Sequence, residues 1–116
     1  MTQSTRFALA AVAGAMVFSF SAVASASATD AEAAQKLFKK EDCTKCHAPA
    51  KSKKGPSLKK IAADTKGKPD AEAIIIKHMT TPTKVKLDDG TEDDHRVVET
   101  KDQAQLKNLA QWILSH

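Results

Sequence analysis

The chain has little aromatic material from which to build a core: no tyrosine, a single tryptophan, and four phenylalanines, three of them within the first twenty residues. Beyond residue 28 the large apolar side chains are mainly Phe38, Leu58, Ile61, Ile74, Ile75, Ile76, Val97, Val98, Leu106, Leu109, Trp112, Ile113 and Leu114. That set is too thin for a conventional core alone, and domains this small are often stabilised by a metal, disulfides or a cofactor. Cysteine is equally scarce, with only Cys43 and Cys46 present. The histidines other than His47 are His78, His95 and His116, and they show no H-x(3–5)-H pairing, so half of a structural zinc site is missing. Repeats and low-complexity tracts are absent beyond the N-terminal segment.

Charge is missing from one long run, Phe7 to Val23, which follows a short polar start carrying Arg6. The run is rich in Ala and Ser and ends in Ala26-Ser27-Ala28, which fits the small-residue preference of a signal-peptide cleavage site. A retained membrane anchor would need a longer run, and this one is near the lower limit for spanning. Residues 1–28 are therefore expected to be a cleaved signal peptide, leaving 29–116 as one 88-residue domain exported to the periplasm.

What the chain does have is concentrated in Cys43-Thr44-Lys45-Cys46-His47. Two thiols three positions apart, with a histidine directly after the second, form the attachment pattern of a c-type haem. Each thiol can make a thioether to a vinyl group, and the next residue then lies under the ring plane where its imidazole can bind iron. A thioredoxin-type pair would open a helix within a βαβ unit, and no period-two apolar alternation flanks this motif. A disulfide across the motif would be strained and would leave His47 without a role. A covalently held haem would also supply the missing centre of the core, so the haem-free chain is expected to fold poorly.

Helical spacing of Ala31, Ala34, Leu37 and Phe38 predicts a helix over 31–41, capped by Asp30 with Glu32 in its first turn. The lysine-rich stretch 48–56 is a loop ending at Gly55-Pro56. Ser57 is expected to cap a short helix over 58–64, with Leu58, Ile61 and Ala62 inward, and Asp70 one over 71–79 that Pro82 terminates. Residues 83–99 read as a long polar loop around Gly90, of a length that is usually functional. Thr100-x-x-Gln103 fits a capping box for a last helix whose stripe is Leu106, Leu109, Ala110 and Ile113, with Trp112 near its edge.

This order of helix, C-x-x-C-H, Gly-Pro, two short helices, long loop and terminal helix resembles the small bacterial class I cytochromes c over nearly all of residues 30–116. The resemblance implies an all-α fold wrapped around one haem c, with the first and last helices crossing and Phe38 meeting Leu109, Trp112 and Ile113. It implies that the Pro56 carbonyl accepts the imidazole N–H of His47, fixing its tautomer and raising its basicity. It also implies export, because haem is attached to such proteins outside the cytoplasmic membrane.

The family usually takes a methionine from the loop before the last helix as its second axial ligand, and 83–99 contains none. His95 stands in that place, seventeen residues before Trp112, whereas Met79 lies thirty-three before it. Among the charged Asp93, Asp94 and Arg96, His95 also reads as a solvated surface residue, although Val97-Val98 could pull the loop onto the ring. His95 is the expected sixth ligand, with Met79 or an open position as alternatives. His78 shares the placement problem of Met79, and His116 is terminal.

Eleven lysines and three acids lie between residues 36 and 68, against five acids and no base between 88 and 94. Most of these charges are solvated surface, but the asymmetry orients encounters and suits a redox partner with an acidic docking face. A monomeric one-electron carrier without enzymatic activity is the expected function, with no nucleic-acid partner and no membrane insertion after leader removal. The alternative is a haem protein with an open sixth position that binds small ligands or senses redox state.

Overall fold

The computed structural model describes residues 28–116, so all but the last position of the expected signal peptide lies outside the described residues. In chain order the elements are α1 (Ala31–Lys40), a 3₁₀ turn at Cys43–Lys45, α2 (Leu58–Thr65), α3 (Ala71–Thr80), strands β1 (Lys84–Lys86) and β2 (Glu92–Asp94), and α4 (Gln103–Leu114). None of the described helices is long and apolar enough to cross a membrane.

Helix α4 is the hub, packing against each of the other three helices. Its Leu106, Leu109, Ala110, Trp112 and Ile113 are buried, so Trp112 belongs to the stripe and not merely to its edge. Phe38 meets Trp112 edge-on with ring centres 5.4 Å apart, a favoured aromatic geometry. The expected contact between first and last helices is therefore present. Ala34, Leu37 and Phe38 form the buried face of α1, while Ala31 stays exposed. At that end the helices are joined by polar groups instead: the Asp30 N–H donates to Asn108 Oδ1 at 2.7 Å, and Asn108 Nδ2 donates to the Asp30 carbonyl at 2.8 Å.

The helix starts show where local chemistry sufficed and where it did not. Asp30 accepts from the Ala33 N–H and Ser57 from the Lys60 N–H, as expected of N-caps. Asp70 sits at the N-cap position of α3 with φ 58 and makes no capping bond. An N-cap side chain reaches back to the first turn from extended backbone, which the left-handed conformation denies it. For α4 the cap is Asp102, accepting from the Ala104 and Gln105 N–H groups, and not Thr100, whose hydroxyl instead accepts from the Asp102 N–H. Of the three isoleucines in α3 only Ile75 is buried and Ile74 is 39% exposed, because successive helical positions are about 100° apart and cannot share one face.

The stretch expected as an irregular loop contains a hairpin. Lys84 pairs with Asp94, Val85 with Asp93 and Lys86 with Glu92, antiparallel, around a turn in which Gly90 takes φ +86. Asp89 Oδ1 accepts from the N–H and hydroxyl of Thr91, and Lys84 makes a 2.7 Å ion pair with Asp94. The acidic block is thus partly neutralised by Lys84 of the facing strand. The fold remains predominantly helical.

Candidate functional site

After α1 the chain reverses at Asp42, in the left-handed region at φ 60, and enters the 3₁₀ turn. The Cys46 and His47 N–H groups both donate to the Cys43 carbonyl, at 3.2 and 3.0 Å, so one tight turn holds all three motif side chains. Neither cysteine is in a disulfide. Burial, with the nearby Glu41 carboxylate, pushes the Cys43 thiol up to about 11, so before attachment it rests as the neutral thiol. Among the described residues no group of three or more His, Cys, Asp or Glu is arranged to hold a metal ion.

His47 is oriented from the lysine-rich loop. Its Nδ1 lies 2.6 Å from the Pro56 carbonyl oxygen. A carbonyl only accepts, so Nδ1 carries the proton and Nε2 keeps the lone pair that a metal needs. The loop is tied by Gly55 N–H to the Cys46 carbonyl at 2.9 Å and by the Leu58 and Lys59 N–H groups to the carbonyls of Ala48 and Pro49 at 3.0 Å. Gly55 backs the imidazole so closely that a Cβ there would stand 3.0 Å from His47 Cε1. The Gly-Pro turn is legible in the sequence, but this steric role of Gly55 has no sequence signal.

His95 follows β2 directly. Its N–H donates to the Thr83 carbonyl and that of Val98 to the Met79 carbonyl, each at 2.8 Å, which lays the segment 95–98 against the end of α3. Val98 is buried. The His95 ring centre lies 6.3 Å from that of His47 and 4.6 Å from that of His78. His95 Nδ1 is buried without a hydrogen-bond partner, and burial, followed by His78 and His47, pushes the imidazole below its ordinary range. A solvated surface residue has neither property. Met79 is 7% exposed and belongs to the hydrophobic core, while His116 bonds the Trp112 carbonyl at the end of α4.

The residues fit a haem iron. Two imidazoles bound on opposite sides of one metal, with metal–nitrogen bonds of about 2 Å and ring nitrogens about 1.1 Å from the ring centre, stand about 6 Å apart. The His47–His95 spacing meets that requirement.

The sequence profile of the cytochrome c family matches residues 31–116. The chain belongs to the cytochrome c family. Among solved structures this cytochrome is similar to the class 1 cytochrome MtoD from Sideroxydans lithotrophicus ES-1, at 45% identity and a TM-score of 0.72, over 76% of this chain and 97% of that one. It is also similar to cytochrome c552 from Nitrosomonas europaea. A deletion variant of that protein matches at 30% identity and TM-score 0.58, and the wild type at 28% and 0.56, each over 70% of this chain and 96% of the other. No curated protein sequence matches the chain. Family and neighbours together make it a small monohaem class I cytochrome, an electron carrier with one covalently bound haem c, and Cys43 and Cys46 fit the attachment motif.

Proposed function

We propose that this cytochrome is a periplasmic one-electron carrier whose iron is held by two imidazoles, His47 and His95. The single observation that carries the ligand assignment is the placement of His95: a half-buried ring whose centre stands 6.3 Å from that of His47. The haem supplies a one-electron iron couple. Cys43 and Cys46 anchor it through thioethers, Pro56 fixes the proton of His47 on Nδ1, and Val98 with the Met79 carbonyl holds the segment that presents His95. Met79 is the alternative ligand; its side chain is buried in the apolar core. Two imidazoles usually give a lower potential than an imidazole and a thioether, so a low-spin haem of modest potential is expected.

Export follows from the leader-like residues 1–28. The exposed Lys45, Lys51, Lys53 and Lys54 around the motif favour a transient contact with an acidic redox partner. The deciding experiment is the oxidised optical spectrum of the haem-loaded protein and of His95→Ala. With the assignment right, the wild type lacks the far-red sulfur-to-iron band, and the variant becomes high-spin and readily binds cyanide when oxidised or carbon monoxide when reduced. A wild-type protein with that band would put Met79 on the iron, and one already high-spin would make it a ligand-binding haem protein.

A further inference from the structure

The segment that presents His95 is held from two sides. On one side the bonds are backbone to backbone, to Thr83 and Met79. On the other, Arg96 makes a 3.1 Å ion pair with Asp42, and the Glu99 N–H donates to Glu41 Oε2 at 3.1 Å. Glu41 and Asp42 are the two residues immediately before Cys43. Partners fifty-four and fifty-eight positions apart in sequence thus join the attachment turn to the distal segment.

The local packing gives these two bonds little help. A cleft of about 380 Å³ lies between Lys40–Glu41 and the stretch Arg96–Thr100, so charged groups bridge the seam where apolar contact does not fill it. Asp42 is kept ionised at this seam. Lys45 bonds the same carboxylate oxygen at 3.0 Å, and together the two cations hold the carboxyl below its usual range. The left-handed backbone of Asp42 turns the chain at the end of α1 and costs least for Asp, Asn or Gly.

We propose that Glu41 and Asp42 are positioning residues that hold the distal segment in register with the attachment turn, and so set how readily His95 gives up the sixth position. The proposal rests on His95 being that ligand. Loss of both bonds leaves the distal segment tethered at its α3 side only, so the iron is reached more easily by an added ligand.

The test is the affinity of the oxidised, haem-loaded protein for added cyanide. Glu41→Ala combined with Arg96→Gln is expected to tighten apparent cyanide binding by about tenfold, the sum of a hydrogen bond and an exposed ion pair. Arg96→Lys, which keeps the charge, is expected to stay within about twofold of wild type. Amide exchange at Glu99 is expected to rise in Glu41→Ala. Asp30→Ala, which removes the cap of α1 away from the seam, controls for stability: it lowers the melting temperature and leaves cyanide affinity unchanged.

Should His95→Ala keep the wild-type spectrum, the ligand assignment falls and the clamp with it. If His95→Ala turns high-spin but the double variant binds cyanide like wild type, the assignment stands and the clamp is overturned. A double variant whose affinity changes no more than that of Asp30→Ala at equal loss of stability also overturns it.

Discussion

Replacing Gly55 with alanine adds one methyl group against the face of His47. The backbone gives no reason for glycine there, since Gly55 is not among the residues with positive φ. The new Cβ would lie 3.0 Å from His47 Cε1 and 3.4 Å from both His47 Nδ1 and the Cys46 carbonyl oxygen. That is tighter than ordinary carbon contacts, so ring or loop must yield by about a few tenths of an ångström. That displacement acts on the 2.6 Å bond between His47 Nδ1 and the Pro56 carbonyl. Overpacking of this kind costs about 1–3 kcal/mol, which in a domain of this size lowers the melting temperature by about 5–15 °C.

A second effect is electronic. The bond from Nδ1–H to Pro56 makes the imidazole a stronger donor and favours oxidised iron, so weakening it raises the midpoint potential. Losing half of a bond worth about 1 kcal/mol raises it by about 20 mV, on the scale of about 59 mV per tenfold for a one-electron couple. Voltammetry and thermal melts of the haem-loaded protein measure both. Gly67→Ala is the control, because nothing lies within 4 Å of a Cβ at that position. An alanine at position 55 that alters neither potential nor melting temperature, relative to that control, would refute the idea that Gly55 holds the ring in place.

Asp102→Ala should destabilise the protein by about 1 kcal/mol, the usual value of an N-cap, while Thr100→Ala should cost less than half as much, as measured by chemical denaturation. With His95 on the iron as proposed, its imidazole takes no proton in the folded, haem-loaded protein, and burial with the neighbouring His78 and His47 acts in the same direction. The unfolded chain therefore takes up a proton that the folded protein refuses, so stability is full above about pH 6.5 and falls as the pH drops through the imidazole range. Denaturation midpoints measured between neutral and mildly acid pH should show that decline, and His95→Ala should flatten it.

The attachment motif, the helix carrying Phe38, the Ser57 cap and the apolar stripe of α4 are all legible in the sequence. Each depends on residues within a turn or two of one another, where spacing translates directly into geometry. The hairpin is harder to see. Its pairs Lys84–Asp94 and Lys86–Glu92 are opposite charges separated by the Asp-Asp-Gly turn, and without apolar alternation they read as polar loop. Asp70 and Thr100 look like caps by residue type, but their backbone placement decides otherwise.

By itself the sequence pointed to a covalently bound haem c, because Cys43 and Cys46 fit an attachment motif whose chemistry is written in five adjacent residues. It also placed His95 where the family expects a ligand, but among charges that argued for exposure, with only the following Val97-Val98 pointing the other way. Only the tertiary structure brought the His95 ring to 6.3 Å from His47, set Gly55 against the proximal imidazole, and joined Asp42 to Arg96. Those arrangements depend on how loops close over distant parts of the chain, and loop closure is decided by the packing of α4 against its neighbours and by backbone bonds such as Val98 to Met79, not by local spacing.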